Sequence, residues 1–261
     1  MSPAAPNALF KDKVVWITGG GSGIGRSVAL LLASRGAKVL VSGRNEKKIG
    51  SVVGELAHAG GAARHQVGDV RNVDDAHACV DRAIKEWGRL DIVVASAGVL
   101  GRFPIDKEFG LAKEIFDTNL LGTYATFHAA VPHLEKGGRL ISISSSLAKF
   151  GAPGHGAYCA SKAGLVGLCR ALSQELGARQ VTVNTICPGW VDTEMANVGI
   201  EDIAKGMSRS VDETTKLLMG RFPLGRMVDP MEVAEFVSYL ASPLGAAITG
   251  QALSICGGST V

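Results

Sequence analysis

Short apolar runs separated by stretches of helical periodicity mark this chain along nearly its whole length. The first run, Val14 to Ile17, stands directly before a glycine-rich turn, after which Ile24, Val28, Leu31 and Leu32 recur at helical spacing. That order reads as strand, turn, helix. The alternation continues through KVLVSG, a helix near 45–58, RHQVGDV, and a helix carrying Ala76, Val80, Ala83, Ile84 and Trp87. RLDIVVASAG, a long helix near 108–134, GRLISISS, a helix over 157–178 and VTVNTICPG follow. Strands written almost wholly in Val, Ile and Leu are buried on both faces. The pattern therefore predicts an α/β fold, a doubly wound parallel sheet of about seven strands with helices on both sides.

Ligands of such sheets bind beyond the carboxyl ends of the strands. Gly19, Ser42 to Arg44, Asp69, Ala97-Gly98, Ser145 and Pro188-Gly189 all fall at those ends, so segments distant in sequence are expected along one rim. Residues 194–220 break the alternation, and with Gly199, Gly206 and Gly220 near their length they read as a lid over that rim. No internal repeat, low-complexity tract or linker divides the chain. At 261 residues a single domain is expected, burying about three quarters of its unfolded surface.

Composition narrows the classes of partner. A net charge of +3 carried by scattered basic residues implies neither nucleic acid nor an anionic membrane. No apolar run approaches 18 residues, and the opening MSPAAPNALFKDK lacks the order of a signal peptide, so a cytoplasmic protein is expected. Five cysteines, at 79, 159, 169, 187 and 256, form no C-x-x-C pair, which fits reduced core thiols rather than disulfides or a metal site.

Two clusters carry chemistry. In TGGGSGIG the glycines at 19, 23 and 25 allow tight backbone angles, and free amides at a helix start meet negative charge, as a nucleotide phosphate cradle requires; an ordinary turn is the plainer alternative. In AYCASKAGL, Tyr158 and Lys162 stand four apart on one helical face, with Ser145 thirteen residues upstream. An ammonium beside a phenol favours the ionised phenol, so Lys162 is expected to lower the Tyr158 pKa. Lowering a tyrosine by about three units takes roughly 4 kcal/mol of charge stabilisation, which a buried ammonium and a cationic nicotinamide ring could jointly supply. An exposed Tyr with a solvated Lys would show the same spacing.

TGGGSGIG, DV at 69–70, SAG at 96–98, Asn119, Ser145, YCASK, PGWVDT and the closing ITGQ-to-GG stretch stand together in an order and spacing that resembles the short-chain dehydrogenase/reductase family, from about Lys11 to Gly258. The resemblance implies a Rossmann-type sheet and four catalytic residues. Tyr158 is the general acid in reduction and the base in oxidation, and Ser145 hydrogen-bonds the carbonyl oxygen. Lys162 lowers the Tyr158 pKa and holds the ribose, and Asn119 fixes a water that links Lys162 to solvent. Cofactor contacts are expected from Gly19, Gly21, Ser22, Gly23, Ile24, Gly25, Arg44, Asn45, Asp69, Val70, Ala97, Gly98, Tyr158, Lys162, Val191 and Thr193. One position departs from the family pattern: Ala95-Ser96-Ala97-Gly98 replaces N-N-A-G, leaving the anchoring of that strand to the cofactor loop unassigned, with Ser96 as one candidate.

No acidic side chain stands at Ser42, Gly43 or Arg44 to grip a ribose, and Arg44 suits a 2′-phosphate, so NADP(H) is expected; an Arg that covers the adenine face or sits in solvent is the alternative. The C-terminal stretches look most like ketoreductases acting on β-ketoacyl thioesters, especially those of aromatic polyketide synthesis. A ketone substrate, carrier- or CoA-linked, would then be reduced to a secondary alcohol. Ser145, Leu147, His155, Trp190 and Met195, with Phe103 and Phe150, are expected around it; His155 has the plainer reading of a loop histidine bonded to backbone or water. Arg102, Arg209 and Arg221 are candidates for a phosphopantetheine phosphate. An oxidative alcohol, sugar or hydroxysteroid dehydrogenase and a non-catalytic nucleotide sensor are the alternatives. The family suggests a homotetramer, or a homodimer, packed through the helices at 108–134 and 157–178, whose Ile115, Val166, Leu168 and Leu172 serve either an interface or the core.

Overall fold

The computed structural model describes residues 9–260; the first eight residues, which belong to the segment read for a signal peptide, lie outside the described residues. Seven parallel strands form one sheet: β1 (Val14–Thr18), β2 (Lys38–Gly43), β3 (Ala63–Val67), β4 (Leu90–Ala95), β5 (Leu134–Ile143), β6 (Thr182–Pro188) and β7 (Ala252–Ile255), in the order β3-β2-β1-β4-β5-β6-β7. The central strands β1 and β4 are buried at every position, as their near-unbroken apolar sequences require. Edge strand β3 is ARHQV; only Ala63 is buried, Val67 at its end is exposed, and the polar residues are exposed or partly so. The chain changes direction between β1 and β4, which opens the crevice where such sheets take ligands.

Each face of the sheet carries its own core. Helices α1 (Gly23–Ser34), α2 (Glu46–His58) and α9 (Pro230–Ala241) pack Val28, Leu32, Ile49, Val52, Val233 and Val237 against one face. On the other, α3 (Val73–Trp87), α5 (Gly122–Ala130) and α6 (Gly156–Leu176) bring Val80, Ala83, Phe127 and Cys169 onto Trp16, Leu40 and Val93.

The long helix expected near 108–134 is not continuous. It consists of α4 (Phe109–Phe116), a π-helical turn over Asp117–Leu121 and α5, with a short 3-10 turn over Val131–His133 before β5 begins at Leu134. The wide turn carries Asn119, whose side chain is bonded to Val99 rather than pointing outward. Ile115 is fully buried within the monomer, so it serves the internal core and is unavailable to an interface. Leu168 and Leu172 are half-buried against the same core, and Val166 is half-buried on α6. Residues 194–220 form two helices, α7 (Glu194–Met207) and α8 (Val211–Met219). All five cysteines are reduced, and among the described residues no helix is long and apolar enough to cross a membrane.

At the opposite end of the sheet from the crevice, the Asp91 carboxylate joins β4 to β1. It accepts from the Val14 amide at 3.0 Å, from Lys13 Nζ at 3.0 Å and from Arg89 Nε at 2.8 Å. Burial alone would raise its pKa, but the bonds from Arg89, Val14 and Lys13 outweigh that and hold it below 3.8. A depressed carboxylate contributes stability above its unfolded pKa and loses it as pH falls through the folded value. Asp91→Ala is expected to cost about 2 kcal/mol at pH 7. The gap to wild type should close below about pH 4, as urea denaturation at the two pH values would show.

Candidate active site

The phosphate cradle is built by close backbone approach. After β1 the chain turns through Gly19, whose φ of 64° lies in the left-handed region, and a Cβ there would sit 2.8 Å from the Ala97 Cα. A Cβ on Gly25 would sit 2.5 Å from the Gly19 carbonyl oxygen, so only glycine lets α1 start this near the strand. Helix α1 begins at Ser22 with no side-chain cap and no acid in its first turn, whereas α2 is capped by Asn45 and α9 by Asp229 with Glu232. Its first amides therefore point unclaimed at a cavity of about 510 Å³ lined by Gly19, Ser22, Gly23, Ile24 and Gly25. These residues suit the phosphates of a dinucleotide.

The departure at Ala95-Ser96 finds its explanation in Thr18. Its buried hydroxyl accepts from the Ser96 and Ala97 amides, both at 3.2 Å, and so ties the end of β4 to the end of β1 without any amide side chain. Sequence reading missed Thr18 because only the parallel pairing of the two strands reveals what its hydroxyl meets.

Ser145, Tyr158 and Lys162 converge on the same cavity, alongside Ala97 and Gly98. Ser145 leaves the end of β5; its Oγ accepts from the Leu147 amide at 3.1 Å, which leaves its own proton to donate. Tyr158 and Lys162 project from the first turns of α6. The Lys162 ammonium donates to the Ile143 carbonyl at 2.9 Å, while Ser144 Oγ donates to the Lys162 carbonyl at 2.8 Å. These reciprocal bonds clamp α6 onto β5. Asn119 stands behind the cavity wall: its Oδ1 accepts from the Val99 amide at 2.8 Å, and its Nδ2 donates to the Val99 carbonyl at 3.0 Å and to Ser161 Oγ at 3.2 Å. A Cβ on Gly98 would lie 3.2 Å from that Oδ1 and 3.3 Å from Lys162 Nζ, so the two residues back the same short stretch of chain. The Asn119 side chain thus latches the strand end that carries Gly98.

Lys162 by itself does not lower the Tyr158 pKa. Burial pushes the phenol up to about 12, against a hydrogen bond from Ser145 that pulls it down and the Cys159 thiol that pushes it further up. Lys162 stands 5.8 Å from the centre of the Tyr158 ring, with its ammonium committed to Ile143, and does not offset that burial. Burial also brings Lys162 down to about 8, because its field finds only the distant Cys187 thiol as a partner. The physical reason is shared: two groups buried together with no counter-charge are both driven toward neutrality. At neutral pH, Tyr158 holds its proton, as a proton donor must.

The remaining expected residues divide between the cavity and its shoulder. Leu147, Phe150, His155, Trp190, Val191, Thr193 and Met195 line the cavity. Phe103 does not; it packs on Gly101 and bonds through its amide to Gly154. Arg44 is exposed at the end of β2, and its charge is felt at Asp69, whose carboxyl the bonds from Arg71 hold below 3.8. Asn45 Oδ1 is occupied in capping α2, Gly21 packs against Lys48 and Ile49, and Val70 fills the space over Gly122. Of the three arginines, Arg221 lines the main cavity and Arg102 a second, adjoining one of about 370 Å³; Arg209 lines neither. Leu100, Ile203, Leu218 and Phe222 also line the main cavity and were not anticipated. Ile203 and Leu218 come from α7 and α8, and Leu100 and Phe222 from loops, and which of their side chains turn inward is set by packing.

Lys162 also makes a stability prediction. The native state releases its proton near 8 and the unfolded chain near 10.5, so stability rises with pH between those values. Below that window the buried ammonium costs on the order of 3 kcal/mol. Lys162→Met also loses the Ile143 bond, and is expected to gain about 1–2 kcal/mol at pH 7 and to lose that advantage by pH 10, as denaturant titrations at both values would show.

Residues 19–260 match the family model described as enoyl-(acyl carrier protein) reductase. The chain is 37% identical to a putative ketoacyl reductase of Streptomyces coelicolor, over 96% of this chain and 98% of that one. It is 35% identical to the 3-oxoacyl-(acyl-carrier-protein) reductase FabG of Chlamydia muridarum, over 97% and 99%. Its fold matches a crystal structure of a variant actinorhodin polyketide ketoreductase with NADPH at a TM-score of 0.90 and 34% identity, covering 99% of each chain. A short-chain dehydrogenase of Burkholderia cenocepacia in complex with NADP matches at 0.86 and 28%, covering 97% and 99%. With the uncapped start of α1 and the cluster of Ser145, Tyr158 and Lys162 sharing one cavity, these likenesses show that the chain belongs to the short-chain dehydrogenase/reductase family, oxidoreductases that interconvert carbonyl and alcohol groups.

Proposed function

We propose that the protein is an NADPH-dependent ketoreductase that reduces a ketone, of the β-ketoacyl thioester or polyketide class, to a secondary alcohol. The observation that carries this reading is the convergence of Ser145, protonated Tyr158 and Lys162 on a largely apolar cavity that is continuous with the phosphate cradle. When bound, the reduced nicotinamide supplies hydride to the carbonyl carbon. Ser145 donates to the carbonyl oxygen, and Tyr158 gives it the proton that makes the alcohol. Lys162 lines the same cavity, where it would hold the ribose and supply positive charge beside the reacting oxygen. Asn119 fixes the Val99 strand end against which Gly98 and Lys162 are set.

Arg44, with Ser22, is the candidate reader of the 2′-phosphate, supported by its exposure and by the lack of any carboxylate at 42–45. A tyrosine held protonated by burial is in the state that reduction requires of its proton donor. Helices α7 and α8 supply Met195, Ile203 and Leu218 to the cavity, which supports their role as a lid. Arg221 on one cavity and Arg102 on its neighbour mark two openings by which a carrier- or CoA-linked arm could leave. Exposed Leu121 and Tyr124 on the outer face of the α4–α5 region favour a homotetramer or homodimer, and the reduced cysteines suit the cytoplasm.

Tyr158→Phe is expected to lower kcat/KM for ketone reduction by roughly 100-fold or more while NADPH affinity, read by fluorescence, changes little. Full activity in that variant would refute the mechanism. Arg44→Asp should move the NADPH-to-NADH preference by about tenfold or more toward NADH, measured as the ratio of the two kcat/KM values.

A further inference from the structure

Where the two cavities meet, His155 lines both. It stands just ahead of α6, and its backbone is held from both sides: its amide donates to the Ala152 carbonyl at 3.1 Å, and its carbonyl accepts from the Cys159 amide at 2.8 Å. Its Nδ1 lies 3.2 Å from the Gly101 carbonyl oxygen. A carbonyl only accepts, so Nδ1 carries the proton, and in the neutral ring Nε2 is a lone-pair acceptor with nothing to donate. The ring stays neutral because burial disfavours its charge and outweighs the pull of the Gly101 carbonyl, with nearby Arg102 adding its repulsion.

The ring lies edge-on to Tyr158, with centres 6.4 Å apart and planes at 67°. The site therefore offers two unlike faces a few bonds apart. At Ser145, Tyr158 and Lys162 it presents donors, suited to the reacting carbonyl oxygen. At His155 it presents an acceptor, which repels a second ketone or a carboxylate and suits an O–H.

We propose that His155 is a specificity-determining residue whose Nε2 accepts a hydrogen bond from a hydroxyl of the substrate, an enol, phenol or alcohol held beside the reacting carbonyl. The inference rests on the ketoreductase reading and narrows it: the preferred substrates are hydroxylated ketones. The reaction that precedes this one must then leave an oxygen-bearing carbon near the ketone, as condensation of ketoacyl units or ring hydroxylation does. A substrate lacking the hydroxyl forgoes the bond to this half-buried acceptor, and that lost bond is the source of the discrimination.

The test compares 1-tetralone with its ring-hydroxylated and ring-methoxylated derivatives as substrates with NADPH, the methoxy group keeping the oxygen and removing the donor. Wild type should favour the best hydroxylated ketone over its methoxy partner by about tenfold or more in kcat/KM. His155→Phe should bring that ratio within about threefold of one, and His155→Gln, whose amide oxygen restores an acceptor, should recover part of it. A purely structural role for His155 would lower both rates together and leave the ratio intact. In protein labelled with 15N-histidine, the hydroxylated ketone should shift the Nε2 resonance of His155 and the methoxy compound should not. A wild-type ratio near one, or a ratio that survives His155→Phe, overturns the proposal. Failure to reduce any ketone in the series overturns the proposal, and a β-ketoacyl thioester run alongside with NADPH tests the ketoreductase reading separately: its reduction leaves that reading standing, and its failure as well sinks both.

Discussion

The clamp between α6 and the end of β5 governs the geometry of the site. Lys162 Nζ bonds the Ile143 carbonyl and Ser144 Oγ bonds the Lys162 carbonyl, so helix and strand each satisfy a polar group of the other in a place with little access to water. Because those groups are buried, losing either bond leaves an unpaired donor or acceptor, and the register of α6 against β5 is correspondingly strict. Tyr158, one turn before Lys162, inherits its position from that register. Ser145, the residue after Ser144, inherits it from the strand side.

The same burial decides the electrostatics. An ammonium buried away from water with a single carbonyl partner loses affinity for its proton, and a phenol buried beside it clings to its own. The pair as it stands is a neutral acid beside a weakened cation. A catalytic role in reduction needs that neutral acid. The field that would ionise the phenol must come from charge brought into the cleft rather than from Lys162 alone.

Much of the fold was legible because a buried parallel sheet leaves a strong trace: VVWIT and LDIVVA admit few other readings, and the edge strand ARHQV shows its position by its polarity. The cradle was legible for a similar reason, since Gly19 and Gly25 mark backbone contacts that no other residue permits. Less could be read where one side chain answers to a distant one. The π-helical turn at Asn119 interrupts an otherwise continuous helical periodicity, and its cause, the Val99 backbone, is twenty residues away. Thr18 stands at the head of TGGGSGIG, yet nothing local tells what its hydroxyl meets, because the Ser96 and Ala97 amides lie at the end of another strand.

The sequence by itself determined the alternation of strands and helices, the rim on which the site lies and the residue types that meet there, because periodicity and glycine sterics are local. Tertiary structure alone decided the state of those residues. It made Asn119 a latch, placed Ile115 in the core, turned Phe103 away from the cavity and set Tyr158 and Lys162 toward neutrality. Each of these outcomes depends on what a side chain faces across the fold and on how much water is excluded there, quantities that no stretch of sequence contains.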